Sequence, residues 1–199
     1  MSFIKKSSLT VIAILAVVFS FSALSFGKTK ESNNFPNIKI DNFGQMDNNF
    51  YRGARPKPED FKNLAALGIK TVIDLTDNSR QREEPAVVAA GMRYVNIPIV
   101  DKESPSAEQI GAFLKLVNNP ATGKFYVHCA GGRHRTGIMG AIYRFNHDHW
   151  NYDRAYAEMK QYDFYTSNGH GKQLDFVQAY WQQIQAKKPN ARVASTAGR

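Results

Sequence analysis

The chain has one cysteine, Cys129, in 199 residues. A disulfide needs two, so no disulfide framework can hold this chain together, and the lone thiol is either an inert buried side chain or a reactive one. Acidic residues are also scarce, 17 against 26 lysines and arginines, and the net charge is +9. Such a surplus suits anionic partners, although solubility alone accounts for part of it. No internal repeat is present, which excludes a solenoid or other array. What remains is ordinary globular material, 43% hydrophobic and 22% charged, in a length that suits one domain with a sizeable core.

Composition divides the chain into four parts. Lys5 and Lys6 precede an apolar run from Leu9 to Phe19 that shades into small residues by Ser25 and Gly27, so residues 1–27 are expected to be an export signal, cut after Ser25 or Gly27. Cleavage at Gly27 removes two lysines and lowers the net charge to +7. The alternative is an uncleaved membrane anchor, since Leu9 to Phe26 is 18 residues and just spans a bilayer. The expected location is therefore the periplasm or the exterior, with a membrane involved only if the segment stays attached. Residues 28–48 are polar, lack periodicity apart from Ile38 and Ile40, and are expected to form a linker. Residues 49–186 form the domain, and residues 187–199 a disordered tail.

Inside the domain, short apolar runs alternate with helical patterns. Helices are expected over Pro58–Leu67, Gln81–Ala90, Ser106–Val117, Thr136–Phe145, Tyr152–Tyr162 and Lys172–Ile184. Buried strands are expected over Ile69–Leu75, Met92–Ile99 and Lys124–His128. Ser106 followed by Gln109 is a capping-box pattern. The alternation argues an α/β fold with a mostly parallel central sheet flanked by helices. Ligands of such sheets bind at the carboxyl ends of the strands.

The cysteine sits at one of those ends. "HCAGGRHRTG", residues 128–137, follows the strand ending at His128 and leads into a helix. Ala130, Gly131 and Gly132 let the backbone curl into a nest of N–H groups, the helix adds the positive end of its dipole, and Arg135 offers a planar fork to two oxygens of a tetrahedral anion. The same surroundings favour a thiolate, since cysteines at helix N-termini beside cations ionise at about pH 3.5 to 7.5 rather than near 8.5. A phosphate cradle with a thiolate in it is placed for in-line attack on phosphorus.

The spacing Cys-x5-Arg-Thr-Gly after a strand-ending His resembles the signature of the cysteine-dependent protein tyrosine phosphatase superfamily. Given a cysteine, average composition meets those three requirements about once in a thousand or less. "YRGARPKPEDFKNLAALGIKTVIDL", from Tyr51 to Leu75, resembles the entry segment of the compact dual-specificity branch, and the likeness runs from Phe50 to Gln185. The ending Arg-His-Arg-Thr-Gly is similar to the Gly-Lys-His-Arg-Thr-Gly of the plant-and-fungi atypical dual-specificity group, with Arg133 in place of the lysine. The resemblance implies a dual-specificity phosphatase-like fold with the phosphate-binding loop between strand and helix. It implies Cys129 as nucleophile, Arg135 as the clamp on the phosphoryl oxygens, Thr136 as the hydrogen-bond donor to the leaving sulfur, and His128 as the residue that orients the loop and tunes the thiol. Ala130, Gly131, Gly132, Arg133 and His134 complete the phosphate-binding set.

Loss of an alkoxide or phenolate needs a proton. In this superfamily the acid lies on the loop after the preceding strand, and "IPIVDKESPS" supplies Asp101, 28 residues before Cys129, with Glu103 in reserve. Val100 precedes Asp101, so the tyrosine-specific Trp-Pro-Asp loop is absent. Asp74 and Asp77 fit turn chemistry, with Asp77 and Arg80 as secondary candidates for the pocket lining. Tyr51 and Arg52 are read as structural. His147 and His149, two apart, face different sides of a helix, so no metal site is expected. Residues 163–172 form a polar loop that could bring His170 to the site.

These features imply a phosphatase acting through a phosphocysteine on phosphotyrosine or phosphoserine/threonine proteins, without cofactor and as a monomer. Inositol phosphates or phosphoinositides are the alternative substrates, and a phosphate-binding module without turnover the alternative class. A sulfurtransferase needs neither the Arg-Thr-Gly nor the acid. The partner is a phosphorylated protein or small molecule, and no nucleic acid is expected.

Overall fold

A computed structural model describes residues 35–187 apart from Ser79. The expected export signal, and the expected tail beyond Lys187, lie outside the described residues. Five strands, β1 (Gly44–Gln45), β2 (Phe50–Gly53), β3 (Ile69–Asp74), β4 (Arg93–Asn96) and β5 (Lys124–His128), form one sheet in the order β1-β2-β5-β3-β4. β1 and β2 are antiparallel; the other neighbours run parallel. The expected mixed α/β architecture with a mostly parallel sheet is what the structure has.

Among the described residues six α-helices surround the sheet, α5 and α6 packing on α4: α1 (Phe61–Ala66), α2 (Arg80–Ala89), α3 (Ala107–Val117), α4 (His134–Asn146), α5 (Tyr152–Gln161) and α6 (Gly171–Ala186). Phe61, Leu64 and Val87 from α1 and α2 share one buried cluster with Ile69 and Val72 of β3. Phe113, Ile138, Met159 and Val177 from α3 to α6 share the other with Phe50, Ile73 and Phe125. Each such side chain contributes about 1.5–3 kcal/mol of burial. α4 is buried on all sides from His134 to Phe145, as a helix must be when sheet and helices surround it. Ser106 caps α3 in the expected capping box.

The boundaries differ from expectation in several places: β1 was not expected, β4 spans only Arg93–Asn96 of the expected Met92–Ile99, α1 begins at Phe61 after a 3-10 turn at Pro58–Asp60, and three further differences bear on the site. From Phe35 on, the expected linker lies in the domain: Ile38 and Ile40 are buried with Tyr51, Leu64 and Tyr126, and two apolar residues in a polar stretch carry no periodicity to announce it. β2 was not expected as a strand because a four-residue run containing arginine lacks a strand's pattern. α4 begins at His134, two residues early, so Arg135 and Thr136 lie in its first turn.

Gly53 of β2 and Asp74 of β3 both pair with His128 of β5, so three strands end in one row. The chain after each of those ends, and after β4, converges on one edge of the sheet.

Candidate active site

The loop between β5 and α4 is held from outside by its carbonyls. Arg55 N–H donates to Ala130 O at 3.2 Å, Asn42 Nδ2 to Gly131 O at 2.8 Å, and Arg52 Nη2 to Gly132 O at 2.6 Å. In a trans peptide the next N–H points opposite to the carbonyl. The N–H groups of Gly131, Gly132 and Arg133 therefore turn to the other side, where the free N–H groups of the α4 terminus add to them. Gly132 is the hinge: its φ is +67°, and a Cβ there would lie 2.4 Å from the Gly53 carbonyl carbon. Only glycine fits.

A cleft of about 170 Å³ opens on the inside of this loop. Cys129, Ala130, Gly131, Arg133, His134 and Arg135 line it with Asp101, Tyr165 and His170. Gly132, Thr136 and His128, expected in the same set, stand behind it. Cys129 is buried in the α3–α6 core cluster apart from this opening.

Arg135 bridges the loop and the expected acid. Its Nη1 donates to the Ile99 carbonyl at 3.0 Å, and its Nη2 lies 3.3 Å from Asp101 Oδ1. Asp101 is otherwise open to solvent, with a side chain 61% exposed. Asp77 Oδ1 is 3.9 Å from Arg135 Nη1, a longer approach. Thr136 Oγ1 is buried with no hydrogen-bond partner among the described residues, so its hydroxyl is available to a group in the cleft or to the thiol. Glu103 takes part through its backbone: Gln173 Nε2 donates to its carbonyl at 2.9 Å.

His128 is fully buried and faces two carboxylates, Glu83 Oε2 at 3.1 Å from Nε2 and Asp74 Oδ1 at 3.8 Å from Nδ1. Asp74 is largely committed to local bonds from Thr76 and from the Tyr94 hydroxyl, the turn chemistry expected of it. Asp74, Glu83 and His128 lie close enough to share a cation, but Arg55 Nε sits 2.8 Å from Glu83 Oε1 and supplies the positive charge there. His147 and His149 lie away from the cleft; α4 ends at Asn146 and His149 has φ +56°, so the two do not stand on a common helix.

The 163–172 loop does border the cleft. His170 stacks on His134, whose Nε2 lies 3.0 Å from the Tyr165 carbonyl oxygen. Burial, and next the neighbouring His170, push His134 down to about 4, so it is neutral near pH 7. Gln173 must donate to the Glu103 carbonyl, so its Oε1 faces His170 and the proton of that 2.7 Å bond belongs to His170 Nδ1.

A cysteine in a cup of backbone N–H groups, clamped by an arginine on the first turn of a helix and faced by an aspartate from the neighbouring loop, defines the cysteine-phosphatase class of site. A family model described as "DSP-PTPase phosphatase fused to NAD+ Kinase" matches residues 26–179, and the chain belongs to this family. It is 27% identical over 123 residues to the dual specificity protein phosphatase TpbA of Pseudomonas aeruginosa, 62% of this chain and 55% of that one. It is 32% identical over 96 residues to the chloroplastic NAD kinase 2 of Arabidopsis thaliana, 45% of this chain but 10% of that one. The match thus spans from a tenth to about half of these curated relatives. The core catalytic domain of the Saccharomyces cerevisiae PP-IP phosphatase SIW14 superposes with a TM-score of 0.62 at 22% identity, covering 75% of this chain and 94% of that one.

Sequence reasoning missed Asn42, Glu83 and Gln173 and took Arg52 as merely structural. All four act across the fold, and spacing along the chain carries no signal for them.

Proposed function

We propose that this chain is a cysteine-dependent phosphatase that hydrolyses phosphomonoesters of phosphotyrosine and phosphoserine/threonine proteins. The observation that carries it is the loop turned inside out, its three carbonyls bonded outward around Cys129 and Arg135. The Cys129 thiolate attacks phosphorus; an S–P bond forms as the ester P–O bond breaks, and Asp101 gives the leaving oxygen its proton. Water then attacks the phosphocysteine, passing a proton back to Asp101, and the S–P bond breaks while the Thr136 hydroxyl donates to the departing sulfur. Arg135 and the N–H cup hold the phosphoryl oxygens throughout.

Phosphorylated inositols are the second reading. Arg133 favours them, since it lines the cleft and its acidic neighbour, Asp163, is 3.9 Å away and exposed. We also place the protein outside the cytoplasm, on the basic and apolar pattern of residues 1–27, with a cleaved leader and a monomeric domain. Among the described residues no helix is long and apolar enough to cross a membrane.

Burst release of nitrophenol from nitrophenyl phosphate tests turnover through an intermediate. Cys129→Ser should abolish hydrolysis and keep phosphate binding; residual hydrolysis within about tenfold of the parent would remove Cys129 as nucleophile. Phosphate release across phosphopeptides and inositol phosphates then separates the two substrate readings.

A further inference from the structure

Arg52 is the largest fully buried side chain of the domain, 1% exposed. Its Nη2 donates to the Gly132 carbonyl at 2.6 Å, its guanidinium lies 4.0 Å from the centre of the Tyr162 ring, and its Nε has no partner. Among the described residues no carboxylate lies within ion-pair distance of it. The groups whose charge reaches it are Tyr162 at the end of α5, Glu158 on α5, Cys129 on the loop and Tyr126 on β5. Glu158 is already taken by Arg144, whose Nη2 is 2.6 Å from its Oε1. Tyr126 is buried and held well above its ordinary range, so it stays neutral.

Burial lowers the Arg52 pKa from its ordinary value, yet a guanidinium stays protonated in a protein. A buried, unpaired cation destabilises a fold unless an anion offsets it. Once the tyrosines and Glu158 are set aside, the groups able to supply that anion are the Cys129 thiolate and a dianion seated in the cup. Both lie across the loop whose carbonyl Arg52 grips.

We propose that Arg52 is a hidden second cation of the phosphate site, a positioning residue that acts through the Gly132 peptide and by its charge on the thiolate and the bound dianion. Its donation to Gly132 O polarises the peptide whose N–H, on Arg133, faces the cup. It never touches substrate. The proposal rests on the phosphatase reading above and adds a cost to it: the cation is retained for binding and reactivity, at the expense of stability.

The test compares Arg52→Met and Arg52→Gln, which remove the charge, with Arg52→Lys, which keeps it. Three quantities are read on the whole chain: the inhibition constant of inorganic phosphate against nitrophenyl phosphate hydrolysis, the rate of iodoacetamide alkylation of Cys129 at pH 6 and pH 9, and Tm. The neutral variants should bind phosphate about tenfold more weakly and alkylate about tenfold more slowly at pH 6 but not at pH 9, the effect of one close charge in a protein interior. Arg52→Lys should recover most of both. Tm of Arg52→Met should equal or exceed that of the parent. A lysine variant as defective as the neutral ones overturns the proposal, as does a steep loss of Tm in all three with phosphate affinity and alkylation unchanged. If the parent itself neither binds phosphate nor hydrolyses the ester, the phosphatase reading falls and takes this role with it. Normal parent behaviour with an unaffected Arg52→Met removes Arg52 alone.

Discussion

His134 and His170 stack face to face, with ring centroids 3.4 Å apart and planes 2° from parallel. One comes from the first turn of the helix behind the cysteine loop and the other from the start of the last helix, so the stack fastens the cleft's far wall to its floor. Two imidazolium rings cannot share this geometry without repulsion.

A pH dependence follows from the stack. His134 is held down to about 4 in the fold against 6.5 when free, so on acidification the unfolded chain takes up the proton first. Its contribution to stability is complete above pH 6.5 and is lost as pH falls from 6.5 towards 4. Thermal unfolding at a series of pH values should show Tm dropping across that window, and His134→Phe should flatten the drop. An equal slope in the variant would assign the loss to other groups.

Asp101 is exposed and reaches Arg135 at 3.3 Å, a position from which it can meet a leaving oxygen. Asp101→Asn should slow esters with poor leaving groups by about 10²- to 10⁴-fold and nitrophenyl phosphate far less, and should flatten the alkaline limb of the pH–rate profile. Equal damage to both substrates would point to lost binding. If neither suffers while Glu103→Gln slows the poor leaving group, the acid is Glu103.

Gly132 packs against the backbone of β2. Gly132→Ala should cost activity through two independent causes, a φ of +67° and a Cβ placed 2.4 to 2.6 Å from Gly53 and Ala54 atoms that cannot yield. Phosphate affinity should fall even where circular dichroism shows a folded chain. Unchanged affinity would mean that the loop's shape is not set at Gly132.

Glu83 joins Arg55 to the buried His128. Glu83→Ala leaves a buried imidazole facing a guanidinium and should destabilise the fold by about 3 kcal/mol in urea denaturation. Since Arg55 already supplies the cation there, EDTA should leave activity intact. Inactivation by EDTA with recovery in zinc or magnesium would contradict the cysteine mechanism.

Much of this protein could be read along the chain. The cysteine, the arginine six residues on and the glycines between are neighbours in sequence, so the chemistry of the loop is local and its spacing displays it. The alternation of short apolar runs with helical patterns likewise made three of the sheet's strands and the six helices legible, because burial imposes its period on each element separately, while β1 and β2 are too short to show one. Tertiary structure decided what holds the loop in shape. Asn42, Arg52 and Arg55 grip its carbonyls from the other end of the domain, Glu83 reaches His128 from α2, and Gln173 ties the acid loop to α6. An arginine in a four-residue strand, or a glutamine in an amphipathic helix, has the same pattern in sequence whether it meets solvent or a buried carbonyl. The partner that gives each its role is brought near only when the sheet forms.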